Sequence, residues 1–277
     1  MPAAVTRREA AAPAPRVWGS ARVSAHARVI LADNPSPLTY LGTNTWILAD
    51  PGSPACVVVD PGPDSALHLR AVQRACDEDG CAVAAILVTH DHADHAEGAE
   101  RFAAMTGAPV LSRKGGTLPD GPLDLGPGAP RLEVIPLPGH ASDLVGFLVP
   151  ADASIVSGDM LFRQSSTLIC WPDGSLAEYM ASLERLRSVV EARNVARLLT
   201  AHGPLIDDPA AAIERAVRHR LDRLQRVRAA VEAGAGADVD RIIQAVYQDV
   251  DVRLDPAARI NIHAQLEYLE GKGLLQA

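Results

Sequence analysis

The six residues His90-Asp91-His92-Ala93-Asp94-His95 follow an apolar run, Ala84-Ala85-Ile86-Leu87-Val88, with only Thr89 between them. Three of the chain's nine histidines fall in those six positions. A short apolar run bounded in this way reads as a buried strand. A strand that ends in such a cluster delivers several imidazoles and carboxylates to one point on a loop. Converging imidazole nitrogens and carboxylate oxygens are what a zinc-like ion requires, at about 2.0–2.2 Å.

Three further segments place a ligand type just past a strand, beside Gly or Pro: Pro138-Gly139-His140, Ser157-Gly158-Asp159 and Ala201-His202-Gly203. Glycine there lets the backbone turn sharply and approach a site closely. Five of nine histidines placed this way, with two carboxylates, point to one metal centre. The other four histidines, His26, His68, His219 and His263, lack such a setting and read as surface or core residues.

Around these segments the chain alternates strand and helix. Val29–Leu31, Thr45–Leu48, Cys56–Val59, Val83–Val88, Val110–Leu111, Leu132–Ile135, Leu144–Val149, Ser154–Ser157 and Val195–Thr200 read as strands separated by Gly and Pro. Asp64–Asp79 reads as a helix with Leu67, Ala71 and Ala75 on one face. Leu176–Val190 reads as another, opened by the capping box Ser175-Leu176-Ala177-Glu178. Strands in two sets with helices between predict two sheets sandwiched by helices. After His202 the text turns helical, with three patterns and little strand. The third starts at Asp255-Pro256, an N-cap followed by Pro. The expected domains are an N-terminal arm (1–27), a catalytic domain (28–209) and a small helical domain (210–277).

The 277 residues, 48% apolar and 22% charged, suit an ordinary globular protein of one large domain, or one large and one small. A net charge of -8 opposes nucleic-acid binding by the whole surface, since Lys and Arg dominate phosphate contacts. Cys56, Cys76, Cys81 and Cys170 form no C-x-x-C pair and read as reduced thiols. No apolar signal-peptide core and no membrane-length stretch is evident, so a cytoplasmic protein with no membrane partner is expected.

The run from Thr89 to His95, followed by His140, Asp159 and His202, resembles the metallo-β-lactamase superfamily over roughly residues 28 to 207. The resemblance implies an αββα sandwich (α/β, of the α+β kind) with its site at one edge of the two sheets. It implies that His90, His92 and His140 hold one metal, that Asp94, His95 and His202 hold a second, and that Asp159 bridges them. Two zinc ions are implied, and the all N/O donor set also suits manganese or iron. Asp94 and Asp159 become the catalytic carboxylates. Asp91 reads as a solvent-facing or supporting residue.

Asn34-Pro35-Ser36-Pro37-Leu38-Thr39 and Gly42-Thr43-Asn44-Thr45-Trp46 are similar to the opening of the β-lactamase-like protein 2 group. That group pairs this catalytic domain with a C-terminal winged-helix-like domain, and the tail here, Val239–Tyr247 and Ile262–Gly273, looks like it. Its members include a single-strand endoribonuclease. Glu97 departs from the motif's usual glycine and is expected to place a negative charge near the site.

The expectation from these features is a binuclear hydrolase of an ester, thioester or lactone-type small substrate. A single-strand endoribonuclease is an alternative, opposed by the net charge and by 4% aromatic residues, since single strands are held by basic grooves and stacking. A nucleic-acid-binding regulator with a vestigial site is another, opposed by the complete donor set and by a third helix that sets Arg259 against Glu267 and Glu270. The arginines from Arg215 to Arg228 read mainly as a solvated helix face with i,i+4 pairs such as Asp222 to Arg226. The helical domain could support a homo-oligomer. The third helix, the 115–130 connection and the Phe162–Trp171 loop are expected to shape the substrate pocket, and Arg163 could pair with an anionic substrate.

Overall fold

Two sheets stand face to face in the computed structural model, which describes residues 19–247 and 255–275. The first sheet runs β1 (Ala21–Arg22), β2 (Ala27–Leu31), β3 (Asn44–Leu48), β4 (Ala55–Val59), β5 (Ala82–Leu87) and β6 (Val110–Leu111), in that order. The second holds β7 (Gly121–Leu123), β8 (Leu132–Pro136), β9 (Val145–Val149), β10 (Ser154–Gly158) and β11 (Arg197–Thr200), again in sequence order. Pairing is parallel only in β4–β5, β5–β6 and β10–β11. Parallel neighbours need a crossover. Helix α1 (Ala66–Glu78) supplies the first, α2 (Ala93–Ala96) with α3 (Ala99–Thr106) the second, and α4 (Leu176–Arg193) the third.

Alternation along the strands sorts side chains into three apolar layers. Trp46, Leu48, Val57, Val59, Leu87, Val134, Phe147 and Val156 fill the space between the sheets. Ile47, Cys56, Val58 and Ile86 face the other way and pack with Leu69, Val72 and Phe102 of α1 and α3. Ile135, Leu148 and Ile155 face outward from the second sheet onto Tyr179, Leu183 and Leu186 of α4. The expected αββα sandwich is thus the observed mixed α/β architecture.

One facing and several short elements differ from expectation, α2 and, within the 115–130 connection, β7 among them. Leu67 is 82% exposed, because α1 buries the Leu69–Val72–Cys76 face. Helix α3 has no counterpart among the expected elements: only eight residues long, it carries too little periodicity to stand out from its surroundings. Ser175 caps α4 by accepting from the Glu178 amide, as the capping box predicts. All four cysteines are free thiols.

Past β11 the described residues form α5 (Pro209–Ala230), a short π-helical turn, α6 (Val239–Val246) and α7 (Asp255–Gly271), with no strand. Asp208 and Asp238 cap α5 and α6 through the amides of Ala211 and Arg241. Leu224, Val227, Ile242, Ile262 and Leu269 join the same apolar layer as α4. Each fully buried side chain of that size contributes about 1.5–3 kcal/mol, which fixes these helices against the second sheet. The stretch read as an arm is described from Gly19, and there β1 already pairs with β2. Among the described residues no helix is long and apolar enough to cross a membrane.

Candidate metal centre

The loops that follow β5, β8, β10 and β11 converge at one edge of the sandwich. There the sheets are tied together: Asn44 donates to the carbonyls of Thr200 and Gly203, at 2.9 and 3.0 Å, and Thr43 bridges to His202. His90 precedes α2, His92 is its N-cap and His95 lies within it. Gly139 sits at φ 140°, where a Cβ would lie 2.3 Å from Tyr179 Cα. Only glycine lets the chain turn there into His140.

All seven sequence-identified donors come together. His90, His92 and His140 form one group, Asp94, His95 and His202 a second, and His90, His95 and Asp159 a third; the donor atoms within each group lie within 4.8 Å of one another. Asp159 directs Oδ2 toward His140 Nε2 at 3.5 Å, and Oδ1 toward His95 and His202 Nε2 at 3.4 Å each. Asp94 Oδ2 lies 3.2 Å from His202 Nε2 and 3.5 Å from His95 Nε2.

Hydrogen bonds behind the rings fix their tautomers. The Nδ1–H of His140 donates to the Leu168 carbonyl at 2.6 Å, and that of His95 to Asp60 Oδ2 at 2.9 Å. The Thr89 hydroxyl donates to Asp60 Oδ2, so His90 Nδ1–H must donate to the Thr89 oxygen, at 3.1 Å. His202 Nδ1 faces the Gly42 carbonyl at 3.3 Å. Each of these rings therefore turns Nε2 inward, the arrangement in which a second bond orients a metal-ligating imidazole. His92 Nδ1 stands 2.9 and 3.0 Å from the Nε2 atoms of His90 and His140.

Lone pairs converging this closely repel unless a cation lies among them. Buried His95 Nε2 and Asp159 Oδ1 have no hydrogen-bond partner, and such atoms are costly unless something satisfies them. The donor set and these orphaned atoms fit divalent ions of the zinc type. Electrostatics agree. Burial, reinforced by the charge on His95, pushes His90 well below the ordinary imidazole value, and burial also lowers His140. Burial opposes charge on His95 too, but the carboxylates of Asp159, Asp60 and Asp94 outweigh it and raise its pKa to about 10. Burial likewise opposes the Asp94 anion, yet His202 and the charge on His95 hold its carboxyl well below the usual range. The acidic half of the centre thus demands positive charge.

Asp60 is a supporting residue that the sequence patterns do not single out. Only 1% exposed and held at φ 50°, it accepts from the Thr89 amide and hydroxyl, both at 2.7 Å, besides His95. Its one local signal is an acid at the end of an apolar strand, before Pro61-Gly62.

The centre opens into a cleft of roughly 280 Å³. Phe162, Leu168, Leu38 and Ala258 give it an apolar lining, and Arg223, Tyr247 and Asn261 form a polar wall from the C-terminal helices. The third helix and the Phe162–Trp171 loop do shape the pocket, but none of the described lining residues comes from 115–130. Arg163 is turned away, onto the Leu205 carbonyl and Asp207. Trp171 stacks on His263 and donates to Glu267 instead of lining the cleft. Glu97 is exposed and accepts from the Asp64 amide, so its charge does not enter the cleft. Asp91 pairs with Lys114 at the surface. The i,i+4 pairs expected along α5 are present, Asp222 to Arg226 among them, but Arg220 is buried and Arg223 faces the cleft.

A family model described as a β-lactamase superfamily domain matches residues 56–121. The chain is 27% identical over 268 residues to a β-lactamase-like protein 2 homolog of Drosophila melanogaster, covering 89% of this chain and 88% of that protein. It is 30% identical over 156 residues to a hydroxyacylglutathione hydrolase of Ectopseudomonas mendocina, covering 54% of this chain and 58% of that one. Its fold matches a metallo-β-lactamase family protein of Thermus thermophilus with a TM-score of 0.73 at 20% identity, over 91% of this chain and 95% of the other.

Proposed function

We infer that this chain, which carries a metallo-β-lactamase superfamily domain, is a metal-dependent hydrolase acting on an ester-, thioester- or lactone-type small molecule. The observation that carries this reading is Asp159, whose two carboxylate oxygens face two separate groups of donors. His90, His92 and His140 would hold one ion, Asp94, His95 and His202 the other, with Asp159 shared. Two such ions, zinc or else manganese or iron, would supply an acidified water and Lewis acidity toward the attacked carbonyl.

The chain's own residues supply the rest. Asp94 lies at the cleft floor with a carboxylate that stays ionised, suited to orient a water or accept its proton. Asp60, Thr89, Leu168 and Gly42 hold four of the rings, so that these are oriented before an ion binds. Phe162, Leu38 and Leu168 give the cleft apolar walls, favouring an acyl group over water.

A compact cleft supports a small substrate over RNA, which is gripped along basic grooves with stacking platforms. Helix α7 turns Ala257, Ala258 and Asn261 to the cleft and Glu267 to Trp171, which disfavours a free DNA-reading helix. The test is turnover by the zinc-loaded protein on a thioester and lactone panel beside labelled single-stranded RNA, with Asp159→Ala as the blank. Ester, thioester or lactone turnover absent from the blank is expected. RNA cleavage without it, or full activity in Asp159→Ala, would overturn the reading.

A further inference from the structure

A second cavity of roughly 380 Å³ lies behind the loop that roofs the cleft, between residues 161–167 and α5. Its wall carries Arg163, Arg215, Arg220 and His219, with the hydroxyls of Ser165 and Ser166, and it contains no Asp or Glu. In a protein of net charge -8, three guanidiniums around one acid-free hollow is an unusual concentration of positive potential.

Arg220 makes the case. It is 4% exposed. Among the described residues its partners are the Thr167 carbonyl, to which Nη2 donates, and Tyr179, whose ring lies 4.8 Å below the guanidinium carbon. No carboxylate pairs with it among the described residues. A buried charge is ordinarily paired, because desolvating it alone is expensive. A π face and one carbonyl compensate part of that cost, and the guanidinium has five N–H donors to place. Arg163 is held at the rim by Asp207 at 3.3 Å. Arg215 and His219, one turn apart on α5, line the same hollow as Arg220.

We propose that this cavity is an anion site that takes the phosphoryl group of a small molecule, with Arg220 and Arg215 as its principal ligands. Guanidinium forks match a tetrahedral oxyanion, and the Ser166 hydroxyl adds a neutral donor. The hollow is larger than inorganic phosphate alone, so the phosphoryl group belongs to a larger molecule. Two sources fit: the far end of the hydrolysed substrate, or a separate ligand. Phe162, Ser165, Ser166 and Thr167 line both this cavity and the metal-side cleft, so the two hollows share one wall. The site stands on its own residues and does not rest on the hydrolase reading.

The experiment is calorimetric titration of inorganic phosphate into the full-length, zinc-loaded protein, its Arg215→Gln and Arg220→Lys variants, and His92→Asn. Arg215 is exposed, so its replacement tests the site without emptying the core. Saturable binding is expected, weakened about tenfold or more in Arg215→Gln, as loss of one charged hydrogen bond requires. His92→Asn should bind as the parent does. No saturable binding to the parent would overturn the proposal. So would unchanged affinity in Arg215→Gln, or a loss confined to His92→Asn, which would seat phosphate at the metal centre. Where turnover is measurable, phosphate that raises KM, with the effect abolished by Arg215→Gln, assigns the phosphoryl group to the substrate. A change in kcat alone, likewise abolished, assigns it to a separate ligand.

Discussion

Replacing Asp60 by Asn should disable one half of the metal centre while leaving the fold in place. Asp60 Oδ1 accepts from the Thr89 backbone amide at 2.7 Å, and that donor cannot reverse. The oxygen of an asparagine must therefore take this position, which puts its NH₂ where Oδ2 stood, 2.9 Å from His95 Nδ1. Two donors cannot face each other there, so His95 is driven to carry its proton on Nε2, the atom that faces Asp94 and Asp159. A protonated Nε2 cannot ligate. Replacing a partner behind a ligating imidazole typically costs 10–100-fold in metal affinity, about 1.4–2.7 kcal/mol. With the two zinc ions proposed above, competition with a chromophoric chelator should show one equivalent released at correspondingly lower chelator, the other unchanged. Two equivalents held as tightly as in the parent, in a protein with the parent's melting behaviour, would refute the tautomer reasoning. Asp60→Ala is expected to be worse, because it strands the Thr89 amide and the His95 Nδ1–H in the core at about 1–3 kcal/mol each.

His68 links stability to pH. It is buried against Thr45, and burial lowers its pKa to about 4 from an ordinary 6.5. The unfolded chain takes up the proton first, so stability should fall as pH drops from about 6.5 to 4 and level off below; urea melts of the parent against His68→Gln should lose up to about 3 kcal/mol of difference over that window. Gly139→Ala, whose Cβ would collide with the Tyr179 backbone, should cost more than about 4 kcal/mol in denaturant titration. Asn261→Ala leaves the Ile169 amide without its acceptor, beside the loop that orients His140. A thermal melt should show a cost of about 1–3 kcal/mol for that stranded amide, and chelator competition a measurable loss of zinc affinity.

The metal-type donors were legible because they announce themselves locally. Each of the seven sits in a loop that follows an apolar strand, four of them in six consecutive positions, and residue type alone limits what such clusters do. Strand alternation and the Ser175 cap were legible for the same reason, since periodicity and capping are properties of neighbours in the chain. Asp60 was not, because its meaning lies in partners 29 and 35 residues away. Leu67 misled because one apolar residue on a helix does not say which arc faces the sheet; Leu69, Val72 and Cys76 decide that by packing.

By itself, then, the sequence determined the layers of the sandwich and the chemistry of its donors, since both follow from residue type and short-range spacing. Tertiary structure alone decided the surroundings. It turned Arg223 and Asn261 of the C-terminal helices onto the cleft, swung Arg163 and Glu97 away from it, and sank Arg220 against the Tyr179 ring and the Thr167 carbonyl. Along α5, Arg218, Arg220, Arg223 and Arg226 share a side-chain type but not an environment. Which of them is solvated, buried or turned to a cavity depends on what the fold lays against each face of the helix, and spacing along one helix carries no record of that.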